Sequence, residues 1–282
     1  MIIDSHTHIF SPDVIEDRAK HCASDRCFGL LYGNPRARLC TAEELVRSMD
    51  EQGLDVSVVH NIGWSTSEMC VRSNDYMLES ISRHHGRLIG FCAIQPREGE
   101  KALAELERCS KNGIKGVGEL RPDVQDFDLC DEKLMRPIVK SLIEQGLVLS
   151  LHVSEPVGHD YPGKGGNTPD IVYKFISQAK SLKVMLAHMG GGLPFYEMMP
   201  EVGEALSNAW YDTAAGPFLY KPAVYRAAVA LCGVERILFG SDWPLLSQQR
   251  TVAHIRESGL GTADLDAVLG GNAQRLFKLG RK

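Results

Sequence analysis

Ile2-Ile3-Asp4-Ser5-His6-Thr7-His8-Ile9 is a short apolar run that ends in two histidines, and seven later runs repeat its plan. They cover residues 56–63, 88–95, 114–121, 148–155, 183–190, 209–215 and 237–244. Most are continuously apolar, the pattern of strands buried on both faces. Amphipathic stretches lie between them, at 102–109, 134–145, 171–180, 223–231 and 252–257, with a closing helix at 272–279. Another opens on a capping box, Thr41 with Glu44 three residues on, and ends at Gly53. From residue 56 onward successive runs start 26–35 residues apart, the length of a strand–loop–helix–loop unit. Eight such units in 282 residues predict an α/β fold, a (β/α)8 TIM barrel forming a single domain over 1–282. A doubly wound open sheet is disfavoured, because no Gly-x-Gly-x-x-Gly or Walker A sequence follows any strand. Gly190-Gly191-Gly192 follows run six without that spacing and reads as a tight turn beside a pocket.

Bulk properties narrow the function. The hydrophobic fraction is 44% and mean hydropathy is -0.15, ordinary for a globular chain with a sizeable core. A formal charge of -5 and the lack of any basic run argue against nucleic acid as partner. No apolar stretch approaches the roughly 20 residues of a membrane span. The N-terminus carries acidic Asp4 rather than an export signal, so a cytoplasmic location is expected. The eight cysteines are scattered without a Cys-x-x-Cys pair and read as free thiols. Two connections are long for a barrel, 10–40 and 156–169, and both follow strand C-termini, where barrels build their active sites.

The polar residues at those strand ends carry the chemistry. His6 and His8 are two apart, so on a strand they share one face about 6.6 Å apart and can converge on one ion. Run four ends in Glu119 and Arg121, run five in His152, run six in His188, and run eight contains Asp242. Singly, each has an ordinary explanation. His152 or His188 could be a hydrogen-bonded core histidine. Glu119 could pair with Arg121, and Asp242 could cap the turn before Trp243-Pro244. Asp212 on run seven reads as a structural carboxylate bonding backbone N–H groups. Jointly they do not read as accidents, since four histidines and two carboxylates gather at one end of one predicted barrel. Buried charges there require a partner or a metal.

This set, with Leu186-Ala187-His188-Met189-Gly190-Gly191-Gly192 and Phe239-Gly240-Ser241-Asp242-Trp243-Pro244, resembles the amidohydrolase superfamily. Within it, the closer likeness is to the branch that includes aminocarboxymuconate-semialdehyde decarboxylase. The resemblance implies a divalent metal, expected to be zinc, as one or two ions held by His6, His8, Glu119, His152, His188 and Asp242. The Gly118-Glu119-Leu120 context is similar to TatD-like members, where a glutamate bridges two ions and His152 and His188 would bind the second. In the mononuclear, decarboxylase-like pattern His152 would join the first ion and His188 would contact its bound water. Asp242 and His188 are the expected catalytic groups.

The leading expectation is therefore a hydrolase. Metal binding lowers the pKa of water to about 7, and the resulting hydroxide would attack an ester, lactone or amide of a small carboxylated molecule. The alternative is a non-oxidative decarboxylase on the same metal site. A catalytically silent binding module comes third, since no ligand position is vacant. Arg121, His159, Tyr161, Lys164 and Trp243 are the expected substrate-binding residues. The partner is a small molecule, and a homo-oligomer is plausible on base rates alone.

Overall fold

The computed structural model describes residues 1–280. Eight strands run in parallel in chain order: β1 (Ile3–Thr7), β2 (Val56–His60), β3 (Leu88–Cys92), β4 (Gly116–Leu120), β5 (Val148–Leu151), β6 (Lys183–Leu186), β7 (Ala209–Asp212) and β8 (Ile237–Leu238). Every one falls inside a run predicted from sequence. The sheet closes on itself through the residues just after β8. Ser5 N–H donates to the Phe239 carbonyl at 2.7 Å, Asp242 N–H to His6 at 3.0 Å, and His8 N–H to Trp243 at 2.7 Å. The result is a (β/α)8 barrel.

Inward side chains fill the barrel floor. Ile3, Val58, Ile89, Phe91, Val148, Met185 and Leu238 pack together, and Phe277 from the last helix seals the bottom. A larger apolar shell lies between the strands and the surrounding helices. The capping box forms as predicted, with Thr41 N–H donating to Glu44 and Gly53 closing the helix at φ 70°. Gly190, Gly191 and Gly192 all take positive φ, and the turn begins earlier, with His188 at 58° and Met189 at 55°. A Cβ on Gly191 would sit 2.6 Å from the Ser154 carbonyl oxygen, so the turn presses against the chain after β5.

Two regions depart from the sequence reading. A 17-residue helix, Ser67–Arg83, bridges β2 and β3 where no helix was predicted. The long 10–40 connection folds into three short helices, Pro12–Glu16, Arg18–Ser24 and Arg26–Tyr32. These close over an aromatic cluster in which Phe28 stacks on Trp64 at 5.3 Å and meets Phe10 edge-on at 5.7 Å. All eight cysteines are free thiols. Among the described residues no helix is long and apolar enough to cross a membrane.

Candidate metal centre

The strand ends bring His6, His8, Glu119, His152, His188 and Asp242 together, all buried, at the C-terminal mouth of the barrel. Each imidazole uses one nitrogen for support. His6 Nδ1 donates to Asp212 Oδ2 at 2.8 Å, His8 Nδ1 to the His60 carbonyl at 3.0 Å, and His188 Nδ1 to the Ala214 carbonyl at 3.1 Å. His152 is turned the other way, with Nε2 donating to the Gly163 carbonyl at 3.0 Å. These acceptors have no proton to give, which fixes each tautomer. The opposite nitrogens all face inward. His6 Nε2 and His8 Nε2 are 3.1 Å apart, and His152 Nδ1 and His188 Nε2 are 3.2 Å apart.

Two inward lone pairs at such distances repel unless a proton or a cation sits between them. Metal–nitrogen bonds of about 2.0–2.1 Å in a tetrahedron place two ligating nitrogens about 3.3 Å apart, so both pairs fit an ion. Glu119 connects the pairs. Its Oε1 is 2.9 Å from His152 Nδ1 and 3.5 Å from His188 Nε2, while Oε2 faces His6 Nε2 at 3.8 Å. Asp242 Oδ1 lies 3.3 Å from His8 Nε2 and 4.0 Å from His6 Nε2. Two ligand triads therefore share one carboxylate: His6, His8 and Glu119, and Glu119, His152 and His188. Nitrogen and carboxylate donors with supported second nitrogens are what a divalent ion requires.

Electrostatics agree. Burial opposes a charge on His6, yet Asp212, Glu119 and Asp242 outweigh it and raise its pKa to about 10. Burial likewise opposes His188, but Glu119, Asp242 and Asp212 raise it to about 9. For the acids, burial pushes upward, but the imidazoles prevail. His152, His188 and His6 hold Glu119 well below the usual carboxylate range, and His8, His6 and His188 bring Asp242 to about 2. His152 goes the other way, lowered by burial and by the nearby Arg121 charge. The cluster is a cation-seeking nest of ionised carboxylates.

Some supporting residues were weighed differently in the sequence or not seen. Asp212 does bond backbone N–H groups, those of His188 and Ala214, both at 3.0 Å through Oδ1. It also orients His6 through Oδ2, which joins two ligands to one carboxylate. His60 was missed, although Val58-Val59-His60 ends an apolar run just as Ser150-Leu151-His152 does. Its ring lies under His6 at 4.5 Å and over Phe91 at 4.6 Å, with Nε2 donating to the Ser5 carbonyl. Buried Asp4 accepts from Ser241 N–H at 2.9 Å, Ser241 Oγ at 2.6 Å and Gln248 Nε2 at 2.8 Å. It thereby pins the residue that precedes Asp242.

The expected substrate residues separate into three groups. Arg121 is 1% exposed beside the centre. Its Nε and Nη2 reach Asp123 at 3.4 and 3.3 Å, and its Nη1 has no partner. Trp243 is buried behind Asp242. Tyr161 donates to Glu155 Oε2 at 2.8 Å, as Tyr220 does to Oε1 at 2.9 Å, so the 156–168 loop is pinned at the mouth. His159 is exposed, with its ring beside Tyr161. Lys164 turns back to the carbonyls of Val157, Gly158 and His159.

With this geometry in place, comparison with known proteins is informative. The sequence profile of the amidohydrolase family matches residues 3–279. The chain belongs to the amidohydrolase family. Gamma-resorcylate decarboxylase from Polaromonas sp. (strain JS666 / ATCC BAA-500) is 26% identical to this amidohydrolase over 300 residues, covering 87% of this chain and 90% of the relative. The structure of 5-carboxyvanillate decarboxylase from Sphingomonas paucimobilis superposes with a TM-score of 0.82 over 99% of both chains, at 19% identity. Dihydroxybenzoic acid decarboxylase from Polaromonas sp. JS666, determined with bound manganese and the inhibitor 2-nitroresorcinol, gives 0.74 at 23% identity, covering 100% of this chain and 98% of that one. Two further gamma-resorcylate decarboxylases match 75% of this chain at 25% and 24% identity. That finding overturns the hydrolase expectation and favours its alternative. The physical reason for the error is that one metal centre serves both chemistries, and the ligand motifs do not distinguish them. A divalent-metal site stands, whereas the expectation of zinc in particular meets manganese in a neighbouring structure.

Proposed function

We propose that this amidohydrolase is a metal-dependent, non-oxidative decarboxylase of small aromatic acids. The observation that carries the reading is the similarity to gamma-resorcylate decarboxylase over 87% of the chain, joined to two buried groups, His6, His8 and Glu119, and Glu119, His152 and His188, that could hold a metal ion. His6, His8, Glu119, His152, His188 and Asp242 would hold the metal, with manganese and zinc both compatible with their donor atoms. The Glu119 carboxylate, with one oxygen toward each histidine pair, supports two ions sharing it. When bound, the metal supplies Lewis-acid withdrawal of charge from the substrate's oxygen atoms.

In the reaction the bond between ring carbon and carboxylate breaks, carbon dioxide leaves, and a proton takes its place on the ring carbon. Asp242 is assigned to relay that proton from solvent to the ring carbon, and His8, whose Nε2 lies 3.3 Å from its Oδ1, positions it. Trp243 is buried next to Asp242, and Glu155 ties the 156–168 loop down through Tyr161. The test is incubation of manganese-loaded and zinc-loaded protein with 2,6-dihydroxybenzoate and 5-carboxyvanillate. Carbon dioxide should appear in equal amount with the decarboxylated phenol. Hydrolysis of model esters or lactones, with no carbon dioxide from any aromatic acid, would overturn the reading.

A further inference from the structure

At the end of the barrel away from the metal, Lys183 opens β6, Trp210 is the second residue of β7, and Arg275 and Leu276 lie in the last helix, Asn272–Leu276. They line an open cavity of about 540 Å³, within the roughly 300–1,000 Å³ typical of small-molecule sites. Bonds already made fix its frame. Arg236 donates through Nε to the Cys232 carbonyl at 2.7 Å, through Nη1 to the Leu206 carbonyl at 2.8 Å and through Nη2 to Glu197. Asn272 Nδ2 donates to the carbonyls of Val234 and Ile237, both at 2.7 Å, and Asn272 Oδ1 accepts from Arg275. What the frame leaves over is a set of donors. Among the described residues Lys183 Nζ and Trp210 Nε1 have no hydrogen-bond partner, and neither Lys183 nor Arg275 pairs with a carboxylate. Glu235 is the one carboxylate in the lining, against three cations. It is exposed and folds back on its own turn, where a Cβ on Gly233 would lie 2.6 Å from Oε1. The cavity is therefore positive and rich in donors. Its remaining wall is apolar, since half-buried Trp210 and buried Leu276 pack on the cluster that fills the barrel floor.

We propose that this cavity binds a small aromatic oxyanion, a ring bearing one carboxylate or phosphate, at a site separate from the metal centre. Lys183 and Arg275 take the charged oxygens, and Trp210 Nε1–H adds a neutral donor. The indole and Leu276 cover the ring. Guanidinium presents paired N–H groups to such oxygens, and lysine supplies a movable point charge. Indole offers both a flat apolar surface and one polar tip, which suits a ligand with the same division. A neutral ring leaves the cations unanswered, and an anion without a ring leaves the apolar wall bare. None of these residues belongs to the metal centre, so the inference stands independently of the decarboxylase reading.

The test uses metal-loaded full-length protein titrated with benzoate, phenyl phosphate, benzamide and inorganic phosphate. Calorimetry gives the affinities. Fluorescence is followed in Trp243→Phe, which removes the indole beside the metal centre and leaves Trp210 and the buried Trp64. Benzoate and phenyl phosphate should bind and change the emission, and the tighter of the two names the oxyanion. Benzamide and inorganic phosphate should bind at least about 10-fold more weakly, the low end for losing a hydrogen bond to a charged group. Lys183→Ala should weaken the oxyanion about 10-fold. Arg275→Ala should weaken it about 3-fold, because Arg275 is exposed and exposed ion pairs are worth less. Adding Trp210→Phe to Trp243→Phe should abolish the emission change. Lys183→Gln, which keeps the chain length and removes the charge, gives the same reading if the alanine disturbs folding. Binding at the metal centre alone would leave the Lys183 and Arg275 variants equal to wild type. That result, or benzamide binding as tightly as benzoate, would overturn the proposal.

Discussion

Asp212→Asn is the most discriminating single change. Asp212 Oδ2 is the acceptor for His6 Nδ1–H, while Oδ1 accepts two backbone N–H groups. In the variant the amide oxygen can retain the backbone N–H pair, but the amide nitrogen then presents a hydrogen to His6 Nδ1. His6 must accept there, its proton moves to Nε2, and the lone pair that faced the metal is lost. Rotating the amide only transfers the conflict, since two backbone donors would then face an NH2 group. Removing a supporting partner of a ligating histidine typically costs 10- to 100-fold in metal affinity, or about 1.4–2.7 kcal/mol. Competitive titration against a fluorescent chelator measures this directly. Asp212→Ala should be worse, because it also frees the N–H groups of His188 and Ala214. Wild-type affinity in Asp212→Asn, with the fold intact by circular dichroism, would refute the supported-tautomer account of the centre.

Three further outcomes follow from the same geometry. If two ions share Glu119 as proposed, Glu119→Gln should reduce metal content by elemental analysis to one ion per chain or fewer, because an amide cannot serve both histidine pairs as a charged bridge. Metal binding at pH 7.5 should release about two protons, seen as a dependence of calorimetric heat on buffer ionisation enthalpy. His6 and His188, with pKa values of about 10 and 9, are protonated there without metal and must be neutral to ligate. A binding heat independent of buffer would contradict this. Gly118→Ala should lower stability by about 1–3 kcal/mol in denaturant unfolding and loosen metal binding. Gly118 sits at φ 125°, and a Cβ there would be 2.4 Å from the Ser150 carbonyl oxygen, next to Glu119.

The strands and the polar residues that cluster at their ends were legible because burial makes polar residues conspicuous. His152 at the end of Leu149-Ser150-Leu151 has no reason to be there unless something holds it. The Ser67–Arg83 helix was hidden by the same physics in reverse. Its inward stripe is Cys70, Asn74, Met77 and Ser80, half of it polar, so apolar periodicity fails. Asn74 is tolerated because it is fully used, bonding both the N–H and the carbonyl of Ala93 and also Glu105. The three helices within 10–40 are five to seven residues long, too short to show a period. The choice of reaction was read only as an alternative, since the same strand-end histidines and carboxylates serve hydrolysis and decarboxylation alike.

The Gly163 carbonyl that receives His152 Nε2–H belongs to the same short segment whose Gly165 and Gly166 lie against Arg121 and Asp123. One stretch of backbone thus touches His152 at one end and the Arg121–Asp123 pair at the other. Any movement of that segment that admits substrate also alters the support of His152. By reciprocity, a ligand that shifted this segment would change metal affinity, and metal would change that ligand's affinity, by one common factor. A metal dissociation constant measured on this barrel would then depend on where residues 163–166 lie.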